Sequence, residues 1–276
     1  MASAYTPSQI ALYEAHISLP AKYRSIANPP PVKNLDYLTA LYVHQISSVP
    51  YENLLLHYSQ SHAVSLDPQV LFKKIVTDKR GRGGVHIVNI VTLPTGEKYA
   101  LDVGFGGDQA TKPLPMTSGH VVQNLGAQEI RLIHSTIPEQ ADQTKKLWIY
   151  QYRNGADKEW NSFYSFPEVE FLASDFEIIN FFTSNKQGGT NFQTRTVLTV
   201  RFLRGKVEGE EDERIVGKVM LVNGEVKRND GGKTRVIAVC ETEEERIKAL
   251  KEHFEIELTE EEVAGVKGRN VELIGA

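Results

Sequence analysis

One cysteine, Cys240, stands in 276 residues, and that scarcity excludes an internal disulfide and any cysteine-built metal cluster. A reducing, cytoplasmic compartment is the expected home. Long apolar runs are missing too, so no stretch reaches the length that spans a bilayer. Residues 1–20 carry Tyr5, Gln9, Glu14 and His16 where a secretory signal needs a continuous apolar core. Charge of one sign is not in excess. The formal net charge of −4 gives no general attraction to nucleic acid or an anionic membrane. Internal repeats and low-complexity tracts are absent. What remains, 41% hydrophobic and 24% charged residues, is the composition of a soluble globular chain long enough for a proper core.

The first 80 residues read as helical. Leu35, Leu38, Leu41, Tyr42 and Ile46 recur at helical spacing, and Leu71, Phe72, Ile75 and Val76 form a second apolar face. Asn34 caps the first and Asp67, followed by Pro68, the second. Pro29-Pro30-Pro31 is an extended connector. From Val85 the period becomes alternating, and strands are expected at 85–93, 97–103, 129–134, 146–153 and 160–165. A helix is expected over 168–184, then strands at 195–203, 215–222 and 234–240. Thr242 with Glu245 opens a capped helix to about Phe254, and Thr259 with Glu262 opens another. The acidic run Glu208–Glu213 reads as a solvated loop. The expected class is α+β in three parts: a helical bundle over 1–84, a β-barrel with a connecting helix over 85–190, and an α/β lid over 191–276.

The strands at 85–93 and 97–103 flank Pro94-Thr95-Gly96, a three-residue hairpin loop with Pro and Gly where a type I turn and a left-handed residue want them. That loop pairs Leu93 with Glu97, Val88 with Asp102 and His86 with Gly104. Asp102 then lies on the same face as His86, as its diagonal neighbour, within reach of a carboxylate–imidazole hydrogen bond. One residue more or less in the turn would separate them. An Asp that holds a His fixes its tautomer and leaves the other ring nitrogen free as a base. From spacing alone the plainer reading stands ahead: His86 packs at a strand end and Asp102 binds turn amides. Gly104, Gly106 and Gly107 allow a sharp turn and close approach of a ligand, but no P-loop lysine or helix accompanies them.

At these residues the chain resembles the arylamine N-acetyltransferases. The resemblance is carried by Val49-Pro50-Tyr51-Glu52-Asn53-Leu54, by Arg82-Gly83-Gly84, by His86 with Val88-Asn89-Ile90-Val91, and by Asp102-Val103-Gly104-Phe105-Gly106. It continues through Trp148–Asn154, Glu170–Leu172, Asn180–Ser184, Val226–Arg228 and Glu244–Arg246, so it spans almost the whole chain in order. It implies a helical bundle, a β-barrel and an α/β lid. It also implies ping-pong transfer of an acetyl group from acetyl-CoA, the co-substrate, to an arylamine, hydrazine or N-hydroxyarylamine through a cysteine nucleophile. By the resemblance His86 and Asp102 are catalytic, Tyr51 and Phe105 line the acceptor pocket, and Phe182 and Gly188 contact CoA. The stretch Lys186–Phe192 departs from the family's His-Pro-Ser-Ser-x-Phe form.

In the resembling family Arg-Gly-Gly is followed by an aromatic residue and the nucleophilic cysteine on a buried helix, with several dozen residues before the histidine. In this chain Gly84 is followed by Val85 and at once by His86. The chain is therefore expected not to form an acetyl-enzyme, and the helices at 35–46 and 68–76 to be left partly uncovered. Cys240, the only thiol, falls in the C-terminal part; a nearby helix N-terminus could lower its pKa a little. Two readings stay open: a transferase represented by an incomplete chain, and a non-catalytic CoA-binding or regulatory relative. Nucleic-acid binding through Lys73, Lys74, Lys79, Arg80 and Arg82 lacks the interleaved aromatics for base stacking. No metal site is expected, because His57 and His62 lack helical i, i+4 spacing and carboxylate neighbours.

Overall fold

Local signals start most of the helices. The structure, a computed structural model, describes residues 3–59, 67–77, 87–185 and 191–275. Helix α1 (Pro7–His16) opens with a reciprocal cap: the Thr6 hydroxyl accepts from the Gln9 amide and the Gln9 side chain accepts from the Thr6 amide. Helix α2 (Leu35–Ser48) is capped by Asn34, as expected. A short helix α3 (Leu54–Tyr58) follows strand β1 (Tyr51–Glu52). Helix α4 (Pro68–Phe72), capped by Asp67, continues as a π-helical turn over Lys73–Thr77.

The strands form three separate antiparallel sheets. The first contains β2 (Asn89–Thr92), β3 (Lys98–Leu101) and β4 (Leu114–Pro115). The second contains β5 (Val121–Gln123), β6 (Glu129–Ser135), β7 (Leu147–Arg153) and β8 (Asn161–Phe166). The third joins β1 to β9 (Leu198–Gly205), β10 (Arg214–Val222), β11 (Glu225–Asn229) and β12 (Arg235–Val239), in that order. Helix and strand are therefore mixed as expected, but no sheet among the described residues closes into a barrel. The β1–β9 pairing, with Tyr51 opposite Val200 and Glu52 opposite Thr199, ties the N-terminal helices to the C-terminal sheet. Helix α6 (Glu243–Phe254), with its Thr242–Glu245 capping box, and α7 (Glu260–Gly265) close the chain.

The hairpin is registered as the turn dictates. Asn89 faces Leu101 and Thr92 faces Lys98, the Leu93 amide donates to the Glu97 carbonyl at 2.8 Å, and Gly96 takes φ +89°. The strands are shorter than expected. Residues 87–88 and 102–103 leave the ladder, because Asp102 turns its carboxylate back onto the Gly104 amide instead of extending β3. Residues 85–86 lie outside the described residues.

The acidic run does more than meet solvent. Lys22 binds both Glu211 and Asp212, the Tyr23 hydroxyl donates to Asp212, and Arg204 reaches Glu213. The Lys22 and Tyr23 contacts tie the β9–β10 loop to the N-terminal segment, and the Arg204–Glu213 pair braces the loop against β9. Helix α5 (Ala173–Asn185) is shorter than the expected 168–184 at its start. Its outer face carries Ile178, Phe181 and Phe182, which are 70%, 70% and 60% exposed, while Ser184 on the opposite side is buried. Its apolar stripe points outward.

Candidate functional site

Asp102 follows β3 directly and is 5% exposed. Three elements hold it. Its Oδ1 accepts from the Gly104 amide at 3.0 Å, and its Oδ2 accepts from the Tyr164 hydroxyl of β8 at 2.8 Å. The Tyr42 hydroxyl of α2 lies 2.5 Å from its carbonyl oxygen and 2.8 Å from that of Ala110. The loop beyond is pinned as firmly. Tyr150 donates to the Asp108 carbonyl at 2.9 Å, and the Gln109 side chain accepts from the Gly106 amide at 3.1 Å. The Lys218 ammonium, on β10 and 7% exposed, is held by the Gly107 carbonyl and the Asp108 carboxylate.

The electrostatics assign the tyrosines a role. Burial and the nearby Asp102 charge push the hydroxyls of Tyr42, Tyr150 and Tyr164 well above their ordinary pKa. They stay protonated, so they act as donors and orient what they touch. Burial also raises Tyr51, opposed by its hydrogen bond with Gln193. A carboxylate fixed this way can accept from an imidazole N–H and hold its ring in one orientation. His86 lies outside the described residues, so its contacts are not part of this geometry. The ladder stops at the Asn89–Leu101 pair, so the expected pairing of Val88 with Asp102 is not part of it.

Tyr51, on β1, and Phe105, in the loop between β3 and β4, flank the same turn at Gly106. Phe105 packs against Phe163, Tyr164 and Tyr150, with ring centroids 4.9, 5.1 and 6.2 Å away. Tyr51 is buried against Gly106, where an added Cβ would sit 3.5 Å from its ring, and Gln193 Nε2 donates to its hydroxyl at 3.0 Å. Gly106 has φ +98°, a conformation that a side chain would strain. Below Tyr51, Asn53 bridges the Thr196 carbonyl and the Leu198 amide, both at 2.8 Å. This fixes β1 against β9. Phe182 is on the exposed face of α5, apart from this cluster's buried rings. Gly188 lies outside the described residues.

Cys240 belongs to another core, with Val226, Leu250 and Phe254. Its thiol pKa is raised, by burial first and then by Glu245, the reverse of the small lowering expected from the helix N-terminus. Of the basic run, Lys74 is drawn inward to the fully buried Glu52 at 3.1 Å; Lys79, Arg80 and Arg82 lie outside the described residues, as does His62. His57 is buried, with its Nε2 hydrogen-bonded to the Thr196 carbonyl at 3.1 Å, and its pKa is pushed down to about 4 by desolvation. Among the described residues, no group of three His, Cys, Asp or Glu converges as a metal site requires. No helix among them is long and apolar enough to cross a membrane.

Sequence reasoning did not find Tyr164, Tyr42 or Lys218. They sit 62, 60 and 110 or 111 positions from their partners in the Asp102–Asp108 loop, and no local spacing joins them to it.

The family profile described as N-acetyltransferase matches residues 34–85 and 82–263, two stretches that meet at 82–85. An N-malonyltransferase, FDB2 of Fusarium pseudograminearum, is 30% identical, covering 95% of this chain and 92% of its own length. That alignment runs over 325 positions against the 276 residues of this chain, so several dozen of the relative's positions have no counterpart in it. Among solved structures, the arylamine N-acetyltransferase from Salmonella typhimurium superposes with a TM-score of 0.71 at 20% identity, over 95% of this chain and 98% of that one. The Mycobacterium marinum arylamine N-acetyltransferase in complex with CoA gives 0.67 at 19% identity, over 95% and 97%.

Proposed function

The chain belongs to the N-acetyltransferase family, and from that premise we propose a function. The protein is built to pass an acetyl group from acetyl-CoA to an arylamine, hydrazine or N-hydroxyarylamine, and this 276-residue form lacks the nucleophile for it. In this reading Asp102 orients His86, Tyr51 and Phe105 bound the acceptor, and Phe182 and Gly188 meet the CoA thioester. In an intact form His86 would take the proton of a cysteine thiol. The thiolate would attack the thioester carbonyl and expel CoA as its thiolate, and the amine would then displace the cysteine from the acyl group. Chain segments 1–84, 85–190 and 191–276 are the proposed structural units.

The observation that carries the reading is buried Asp102, its carboxylate held by the Tyr164 hydroxyl and the Gly104 amide and its backbone carbonyl by the Tyr42 hydroxyl. Such a three-sided hold suits a residue whose orientation matters, and it stands beside a thiol inventory of one deeply placed cysteine. A second reading concerns the donor. The resemblance to an N-malonyltransferase over 95% of the chain favours malonyl-CoA as an alternative acyl donor.

The test compares two proteins: the 276-residue chain, and the same chain with a segment that opens on an aromatic residue and a cysteine inserted between Gly84 and Val85. Each is incubated with acetyl-CoA or malonyl-CoA and weighed intact. The 276-residue chain is expected to gain no acyl group and the inserted form to gain one, with the better donor identified by rate. Acylation of the uninserted chain would overturn the missing-nucleophile reading. Sequencing the transcript across the Gly84 and Val85 codons shows which form is made.

A further inference from the structure

Helix α2 serves two sides of the molecule. Tyr42 reaches the Asp102 carbonyl from one face, while Thr39, Val43 and His44, on another, line a cavity of about 590 Å³. Its remaining walls are Thr111 and Lys112 ahead of β4, the β5–β6 turn and the β9–β10 loop. That volume lies within the roughly 300–1,000 Å³ typical of small-molecule sites. Tyr51, Asp102, Phe105 and Tyr164 do not line it, so the cavity is separate from the candidate site.

The polar groups on these walls are unevenly used. Glu210, Asp212 and Glu213 each hold a basic side chain, Arg214, Lys22 and Arg204 in turn, at 2.6, 2.9 and 3.0 Å. His44 is 3% exposed, and its Nδ1 lies 3.1 Å from the Ile17 carbonyl oxygen. A carbonyl only accepts, so Nδ1 carries the proton. Desolvation first, then Arg204, lowers the ring's pKa, and Nε2 is left as an unprotonated acceptor. No described residue donates to Nε2, and the atom is not sealed from solvent, so it opens on the cavity. The same holds for the hydroxyl of Thr111, which is 7% exposed. Next to it in the chain, Lys112 makes no ion pair among the described residues. The carboxylate that acts on it, Glu210, is taken by Arg214. Buried polar side chains without a partner are uncommon. Two on the walls of one cavity, with an unpaired ammonium, describe a place built for a polar ligand.

The two ends of the cavity differ. The charges that act on His44 are Arg204, Glu213 and Asp212, and those that act on Lys112 are Arg214 and Glu210. With no charged neighbour in common, the imidazole and the ammonium stand apart. Val43 and Ile215 add apolar wall. We propose that this cavity binds a small hydroxy-carboxylate with an apolar body, its carboxylate on the Lys112 ammonium and the Thr111 hydroxyl, its own hydroxyl donating to His44 Nε2. An unpaired ammonium gains most from an anion, through charge-assisted hydrogen bonds. Asp212 and Glu213 already hold cations, so the His44 end calls for a neutral donor rather than an ammonium. The site goes beyond the acyl-transfer reading and does not depend on it.

The probe is para-hydroxyphenylacetate, titrated into the full chain by calorimetry. Phenylacetate lacks the hydroxyl and tyrosol lacks the carboxylate, so these two analogues test both ends of the cavity without altering the protein. Saturable one-to-one binding at sub-millimolar concentration is expected, at least tenfold tighter than either analogue. Lys112→Met removes the charge at an exposed residue with no ion pair, so the chain stays folded. It should weaken para-hydroxyphenylacetate at least tenfold and leave tyrosol unchanged. Lys158→Met, at an exposed lysine outside the cavity, should change nothing. Absence of saturable binding overturns the proposal. Equal affinity for the parent compound and either analogue overturns it as well, since that end of the cavity would then contribute nothing. So does binding that Lys112→Met leaves intact, because the ligand would then sit elsewhere, as beside Tyr51 and Phe105. None of these outcomes depends on whether the inserted form transfers an acyl group.

Discussion

The Tyr164 hydroxyl donates to Oδ2 of Asp102 at 2.8 Å, joining the end of β3 to β8 of a different sheet. Tyr164→Phe removes the donor and leaves a buried carboxylate short of a partner. Hydrogen bonds to charged groups contribute about 1.5–3 kcal/mol, so a loss in that range is expected in urea unfolding. The check is a double-mutant cycle with Asp102→Asn. A coupling of about 1 kcal/mol or more is expected; strict additivity would mean the bond contributes nothing.

His57 sets a pH dependence. Its pKa falls from an ordinary value near 6.5 to about 4 on folding, mainly by desolvation. The unfolded chain therefore binds the proton more tightly, and acid favours unfolding. The stabilisation is full above the unfolded pKa and is lost as pH falls from about 6.5 towards 4. At 1.36 kcal/mol per unit, the loss amounts to roughly 3 kcal/mol. Urea midpoints at pH 7.5 and 4.5 should differ more for wild type than for His57→Gln, which keeps a donor for the Thr196 carbonyl but cannot titrate.

How far the sequence revealed the molecule depended on range. The β2–β3 register was legible because Pro94 and Gly96 determine the turn, and the turn determines each pair along the ladder. The caps at Asn34, Thr242 and Thr259 were legible for the same reason, since each acts within three residues. The Thr6–Gln9 capping box was an equally local signal. Strand β1 has two residues, too few for a period, so its pairing with β9 was not visible. The hold on Asp102 comes from α2 and β8, which only the tertiary fold brings together. The spacing of α5 reads as a helix with an apolar face. Nothing local says that its apolar side would face out.

Gly106 is a backbone constraint on the acceptor region. At φ +98° any Cβ is strained, although the space beside Tyr51 at 3.5 Å is ordinary contact distance. Strain, not collision, should therefore dominate. Gly106→Ala is expected to cost about 1–3 kcal/mol, and Gly106→Val more because of its branched Cβ. Denaturant midpoints measure both. A neutral Gly106→Ala would show that the loop relaxes around the substitution.

Cys240 should behave as an inert thiol. It is 6% exposed, and burial pushes its pKa up. A chromogenic disulfide reagent should react with it only as fast as the chain opens, with the rate rising steeply through the urea transition. Fast labelling in native buffer would show that the pocket around Cys240 opens locally.

The outward stripe of α5 bears on how long the molecule lasts in a cell. Ile178, Phe181 and Phe182 are largely exposed in the folded chain, and exposed apolar patches favour aggregation and contact with other proteins. Chaperones and proteases continuously triage chains that show such surfaces. The folded protein thus carries a mark usually confined to unfolded ones, and faster removal would lower its steady-state amount at any given rate of synthesis.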